Sequence, residues 1–311
     1  MRILFWGTPD FATPPLRALL GEGHDVVGVV TQPDRPQGRS RSTLVPSPVK
    51  VIALEEGVPV LQPEKPRGDA FLDEIRALAP DLSVVVAYGH ILPKAVIDLP
   101  TRGTLNIHAS ILPKLRGAAP IQAAIREGFA ETGVTIMRMV LALDAGPIIH
   151  VLRTPIPDDE TYGELQLRLS ELGAQALIEA LVMMGSGTAP EIPQDDTQAT
   201  FAPKVERDDA RVDWTRPAIE VARLVRAYDP RPGGWTTRAG LEVKVFGARV
   251  LDPAAGGAPG TVTEVHGNGI AVACRTGVVR IADVQPAGKK RLKAAEWVRG
   301  RGVAVGDVLG A

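Results

Sequence analysis

Cysteine is nearly absent: the 311 residues contain one, Cys274. One thiol cannot close an intrachain disulfide, nor can it complete a structural zinc site. No apolar stretch reaches the roughly 18 residues of a spanning helix. The amino-terminal apolar run, Ile3 to Trp6, stops at Gly7-Thr8-Pro9-Asp10, too short for a secretory signal. A cytoplasmic location is the expectation. Several catalytic signatures are missing as well. The turn after the first apolar run lacks the G-x-G-x-x-G of dinucleotide sites, and Pro9 removes a backbone donor that a phosphate would use. Neither a Walker A pattern nor a G-x-S-x-G elbow is found. His24, His90, His150 and His266 show no metal-ligand spacing.

What remains is an ordinary globular composition, 45% hydrophobic and 23% charged. At about 150 residues per domain the length suggests two domains. The net charge of −1 conceals an asymmetry. Residues 1–208 hold 19 Lys and Arg against 26 Asp and Glu, a net −7. Residues 209–311 hold 16 against 10, a net +6. A basic final third on an acidic body suggests contact with a polyanion, although scattered charge would look the same.

The first half alternates short β-branched runs with helical patterns. Strands are expected at Arg2–Trp6, Asp25–Thr31, Leu82–Ala87, Thr104–His108 and Val134–Val140, with helices at Phe11–Leu20 and Pro46–Glu56. This pattern predicts an α/β fold with a Rossmann-like, doubly wound, mostly parallel sheet, which places sites at the carboxyl ends of the strands. A long amphipathic helix is expected over Tyr162–Met184. Gly185–Glu206, rich in Gly, Pro, Thr, Gln and Asp, reads as a linker. A helix at Ala218–Ala227 and strands at Thr236–Arg238, Val243–Arg249, Gly260–Val265, Gly269–Cys274 and Val278–Val284 then suggest a small β-barrel. The expected division is a domain over 1–188, a linker over 189–208 and a second domain over 209–311.

Four groups of residues draw attention. Asn106 and His108, two apart on a strand, project from one face. Together they offer donors for a developing oxyanion, or simply a hydrogen-bonded polar strand end. Asp144 follows an apolar stretch and needs a partner. It could orient His108 and favour its charged form, or cap its own turn. Ser110 to Ile121 is an apolar, proline-fixed loop suited to a flat heterocycle, or an ordinary connection. The long segment 32–48 carries Arg35, Arg39 and Arg41, which could grip phosphates or merely be solvated.

Taken in order and spacing, Asn106-Ile107-His108, Ser110–Pro113, Arg116–Ile121 and Leu143-Asp144 resemble the 10-formyltetrahydrofolate transferase superfamily. Phe5 to Phe11, Thr31–Pro36, Pro46 to Lys50, Val85–Gly89, Glu131–Met137, Ala210 to Trp214 and Gln285–Lys290 resemble its methionyl-tRNA formyltransferase family. The resemblance covers nearly the whole chain. It implies a formyl donor, 10-formyltetrahydrofolate, a methionyl initiator tRNA acceptor, and no metal. It implies catalytic roles for Asn106, His108 and Asp144, and folate contacts at Ser110, Ile111, Leu112 and Pro113. It implies tRNA contacts at Arg35, Arg39 and Arg41 in a basic loop over about Asp34–Leu44, and at Lys289 and Lys290 in an OB-like second domain. A monomer and no membrane partner are expected. Three positions depart from the family pattern. Met139-Val140 stands where relatives have Met-Asp, Ala145-Gly146-Pro147 replaces Thr-Gly-Asp, and Arg39-Ser40-Arg41 stands where adjacent lysines are common. Alternatives are a formyltransferase for a small amine (an amino sugar or purine precursor), a nucleic-acid binding protein with a disused pocket, and an NAD-linked dehydrogenase.

Overall fold

The computed structural model describes residues 1–37 and 43–310. They form two compact units. The first comprises Met1–Gly117, Thr132–Thr154 and Gln166–Phe201. The second comprises Ala118–Glu131, Pro155–Leu165 and Ala202–Ala311.

The first unit is built on strands β1 (Arg2–Gly7), β2 (Asp25–Val30), β5 (Val60–Leu61), β6 (Leu82–Val86), β7 (Thr104–His108), β8 (Glu131–Arg138) and β9 (Ile148–Pro155). They lie in the order β5-β2-β1-β6-β7-β8-β9. The first five in that order are parallel, and β8 runs antiparallel to β7. A separate antiparallel ribbon pairs β3 (Arg35–Gln37) with β4 (Thr43–Val45). Helices α1 (Thr13–Gly21), α2 (Pro48–Glu55), α3 (Asp69–Leu78) and α4 (Lys94–Ile97) connect the parallel strands. The order reverses between β1 and β6, the topology expected of a doubly wound sheet. Its central strands are buried almost throughout, as parallel strands covered on both faces must be. Trp6 anchors one face, meeting Phe71 and Tyr88 edge-on at 6.0 and 5.3 Å while its indole N–H donates to Ser83 Oγ at 3.1 Å. Polar bonds tie the carboxyl ends together. Thr8 Oγ1 donates to the Tyr88 carbonyl at 3.2 Å, and Gln32 Nε2 donates to it at 2.9 Å.

The differences from the sequence expectation have local causes. Helix α1 starts at Thr13, not Phe11, because Pro14 and Pro15 fit only its first turn. Strand β6 stops at Val86, since Ala87 turns left-handed (φ 46°). Strand β8 spans Glu131–Arg138, not Val134–Val140, so Met139 and Val140 lie beyond it. Strand β9 was not among the expected strands, although Ile148, Ile149, Val151 and Thr154 are β-branched.

The second unit contains α5 (Pro120–Glu127), which packs on α7 (Ala218–Ala227). The 25-residue α6 (Tyr162–Ser186) begins in this unit and continues in the first. Eight strands follow: β10 (Gly234–Arg238), β11 (Leu241–Phe246), β12 (Arg249–Asp252), β13 (Val262–His266), β14 (Gly269–Ala273), β15 (Val278–Ile281), β16 (Asp283–Pro286) and β17 (Leu292–Lys293). They form two four-stranded sheets, β10-β11-β16-β17 and β12-β15-β14-β13, before α8 (Ala294–Arg299). The expected strand over 243–249 bends into β11 and β12 at Gly247 (φ 63°), and 278–284 divides at Ala282. A Cβ on Gly247 would stand 2.9 Å from that of Ala282, so the corner needs glycine. Val308 and Leu309 bridge the two sheets at Thr261 and Arg238. Both sheets surround one core containing Trp214, Val225, Val245, Ile270, Cys274, Ile281 and Trp297. This is the small β domain expected after the α/β unit.

Burial pushes the Cys274 thiol up to about 11, leaving almost no reactive thiolate near neutral pH. The native protein should therefore resist a thiol reagent at pH 8 and react fully in denaturant. Equal labelling rates in both states would show that the thiol is reachable.

Candidate functional site

The site grows from the end of β7. Ile107 faces α6, where a Cβ on Gly173 would stand 3.1 Å from Ile107 Cγ2. Asn106 and His108 therefore project from the opposite face, as strand alternation requires. Asn106 is half-buried, and its side chain has no hydrogen-bond partner among the described residues. His108 is buried, 5% exposed. Its Nε2 donates to the Leu115 carbonyl at 2.9 Å, and its Nδ1 lies 3.6 Å from Asp144 Oδ2. Both nitrogens thus face oxygen acceptors.

Asp144 reaches this point indirectly. Because β8 runs antiparallel, its carboxyl end pairs with Leu105, away from His108. The following loop must double back. Arg138 N–H closes it on the Pro147 carbonyl at 2.9 Å, and Asp144 adopts a left-handed φ of 48°. The turned carboxylate accepts the Gly117 N–H at 2.8 Å. Asp144 therefore joins His108 to the loop that follows it.

That loop, Ser110 to Gly117, is held at both ends. Thr135, buried on β8 opposite His108, donates to the Ser110 carbonyl at 2.6 Å and accepts the Leu112 N–H at 3.2 Å. Ser110 Oγ donates to the Lys114 carbonyl at 2.6 Å. Leu112 is buried, while Ile111 and Pro113 are half-buried. Farther on, Leu115 N–H donates to Thr200 Oγ1 and Arg116 N–H to the Thr200 carbonyl, both at 2.9 Å. Arg116, only 5% exposed, donates to Gln194 Oε1 and reaches Asp196 at 2.7 Å. Sequence reading gave no role to Arg116, Thr135, Gln194 or Thr200. Thr135, Gln194 and Thr200 hold backbone, Arg116 holds the Gln194 side chain, and no residue spacing signals either part.

The expected polyanion contacts are spread over both units. Arg35 is exposed at the start of the β3–β4 ribbon and donates to Gln32. The ribbon's root is pinned where Lys50 Nζ meets Asp34 Oδ2 at 2.7 Å and Gln62 Nε2 meets Oδ1 at 2.8 Å. These bonds, Lys50 first, hold the Asp34 carboxyl below its usual range. Arg39 and Arg41 lie outside the described residues. In the second unit, Lys289 and Lys290 are exposed in the turn after β16, without an ion-pair partner among the described residues. Nor is any group of three His, Cys, Asp or Glu there placed to hold a metal. No described helix is long and apolar enough to cross a membrane.

Residues 1–181 match the model of the formyl transferase family, and residues 204–302 match that of the formyl transferase C-terminal domain. The chain belongs to the formyl transferase family. A methionyl-tRNA formyltransferase of Moorella thermoacetica is 45% identical over 310 residues, covering 100% of this chain and 99% of that protein. The fold is also similar to HypX from Aquifex aeolicus, solved in complex with tetrahydrofolic acid. There the TM-score is 0.68 at 22% identity, over 96% of this chain and 47% of HypX. The sugar 3N-formyl transferase WlaRD, solved in the presence of dTDP and 5-N-formyl-THF, gives 0.68 at 18% identity, over 93% and 99% of the two chains.

Gly146 lets the Asp144 loop close, since a Cβ there would run into the Arg138 carbonyl oxygen. Gly146→Ala should cost about 1–3 kcal/mol, as overpacking does, measured by urea unfolding. A variant as stable as the parent would show that the loop has slack.

Proposed function

We propose that this chain transfers the formyl group of 10-formyltetrahydrofolate to the α-amino group of methionyl initiator tRNA. The observation carrying this reading is the 45% identity, over the whole chain, with a methionyl-tRNA formyltransferase, together with Asn106, His108 and Asp144 gathered at the end of β7. Formyl transfer is acyl transfer to an amine. The folate supplies the formyl group from N10. The half-buried Asn106 amide, unengaged at the end of a central strand, suits the formyl oxygen. With Nε2 committed to Leu115, His108 offers Nδ1–H as a second donor. Such donors stabilise charge that develops only in the transition state. Asp144, with Oδ2 3.6 Å from Nδ1, orients the imidazole. It also stands ready to take a proton from the attacking amine and return it toward N10. Ser110 to Pro113, fixed by Thr135, form the wall against which the folate lies.

The basic stretch over residues 209–311 and the arginine-bearing ribbon argue for a large acceptor. A small amine would need neither, whereas a tRNA presents phosphates to Arg35, Arg39, Arg41, Lys289 and Lys290. The work takes place in the cytoplasm, and the protein acts as a monomer. The amino-sugar reading has support only from likeness of fold at low identity, as with WlaRD.

The first test is transfer to initiator Met-tRNA, elongator Met-tRNA and a free small amine. Initiator selectivity supports the assignment, and preference for the small amine refutes it. Asn106→Ala should lower kcat by about 10²–10³, and turnover within twofold of the parent would remove its oxyanion role. Asp144→Asn should lower kcat by about 10²–10⁴ and change the pH–rate profile, and an unchanged profile would discard the proton role. Affinity for tRNA should fall steeply with added salt, so a flat dependence would count against phosphate contacts.

A further inference from the structure

Resting on the formyl-transfer reading, we infer that Gln194 is a positioning residue for Asp144 and that buried Arg116 fixes the orientation of its amide. The primary amide of Gln194 is fully committed. Nε2 donates to the Asp144 carbonyl and to the Gly146 carbonyl, each at 2.8 Å. Oε1 accepts from Arg116 Nε at 3.0 Å and from its terminal nitrogen at 2.7 Å. The two ends of the amide are therefore not interchangeable. With oxygen turned to the guanidinium, both N–H groups must face the Asp144 turn. They brace a left-handed residue where the returning loop needs it (Asp144 φ 48°).

The segment that carries Gln194 is itself tied down. Ile192 and Ile148 exchange backbone bonds of 2.8 and 2.9 Å. Arg116 pairs with Asp196, and Thr200 holds the backbone of Leu115 and Arg116. Residues 192–200 thus grip both site loops. On one side they hold the turn that bears Asp144. On the other they hold Leu115, whose carbonyl meets His108, and Gly117 follows, whose N–H meets Asp144. Displacing Gln194 would let the carboxylate drift from His108 without touching any reacting atom.

Glutamate at 194 is the discriminating change. It keeps the side-chain length and strengthens the contact to Arg116. It also replaces the two donors with an anionic oxygen aimed at two carbonyl oxygens. Gln194→Glu and Gln194→Ala should each lower kcat about 10- to 100-fold, the usual effect of losing an outer support. KM for the formyl donor should change less than the kcat loss. The full-length chain is assayed with both single variants, Asp144→Asn, and the double variant Gln194→Ala/Asp144→Asn. If Gln194 acts through Asp144, its substitution costs little once Asp144 is gone. An equal loss in both backgrounds overturns the inference, as does parental kcat in Gln194→Glu. A reading independent of turnover is the pair of His108 ring ¹⁵N shifts at fixed pH. Gln194→Ala should move them in the direction that Asp144→Asn does, and unmoved shifts overturn the inference. A parent chain that formylates no acceptor would refute the formyl-transfer reading alone, and the ¹⁵N shifts would still decide the positioning.

Discussion

The rest of the first unit serves one constraint: the His108 imidazole must be met at each nitrogen by an oxygen from a different stretch of chain. The Leu115 carbonyl comes from the loop just after β7, and the Asp144 carboxylate from the loop after β8. Neither can be supplied by the strand itself. The antiparallel course of β8 makes the second harder, because its loop sets out from the wrong end of β7. The return is made with a left-handed Asp144, a glycine two residues later and a side-chain amide from a distant segment. Each of these is costly alone, and they persist because they are mutually supporting.

The same economy appears in how polar groups are used. Thr135 both donates and accepts, so one buried hydroxyl sets the path of Ser110 and Leu112. Arg116 would be costly to bury unpaired, and its charge is met by Gln194 and Asp196. Asn106 is the contrast. Its amide has no partner among the described residues.

The fold was legible because short β-branched apolar runs such as Leu82 to Val86, spaced by helical patterns, read as buried parallel strands. Thr104–His108 was readable to the residue, and with it the pairing of Asn106 and His108 on one face. Asp144 was readable as a carboxylate needing a partner, although its route back to His108 was not. Its strand was expected to run on to Val140, and nothing local announces that β8 reverses direction. The supports were hidden for a different reason. Gln194 and Thr200 sit in a stretch whose Pro, Thr, Gln and Asp content reads as connecting chain. Their contribution is hydrogen bonds to backbone far away in sequence, which leaves no periodicity. The bend at Gly247 was lost to an ambiguity between strand ends and turns.

Residues 118–131 and 155–165 leave the first unit and belong to the second, so neither unit is one unbroken length of chain. Helix α5 lies in the first of these excursions and buries Ile121, Ala124 and Ile125, packing on α7 nearly a hundred residues later. The halves are consequently not cassettes. A graft that exchanged everything after about residue 200 would carry away α7 but leave α5 behind, with an apolar flank and nothing to cover it. Recombination between relatives would have to preserve the α5–α7 match, so the strands of the second unit can diversify only in step with a helix encoded between segments of the first.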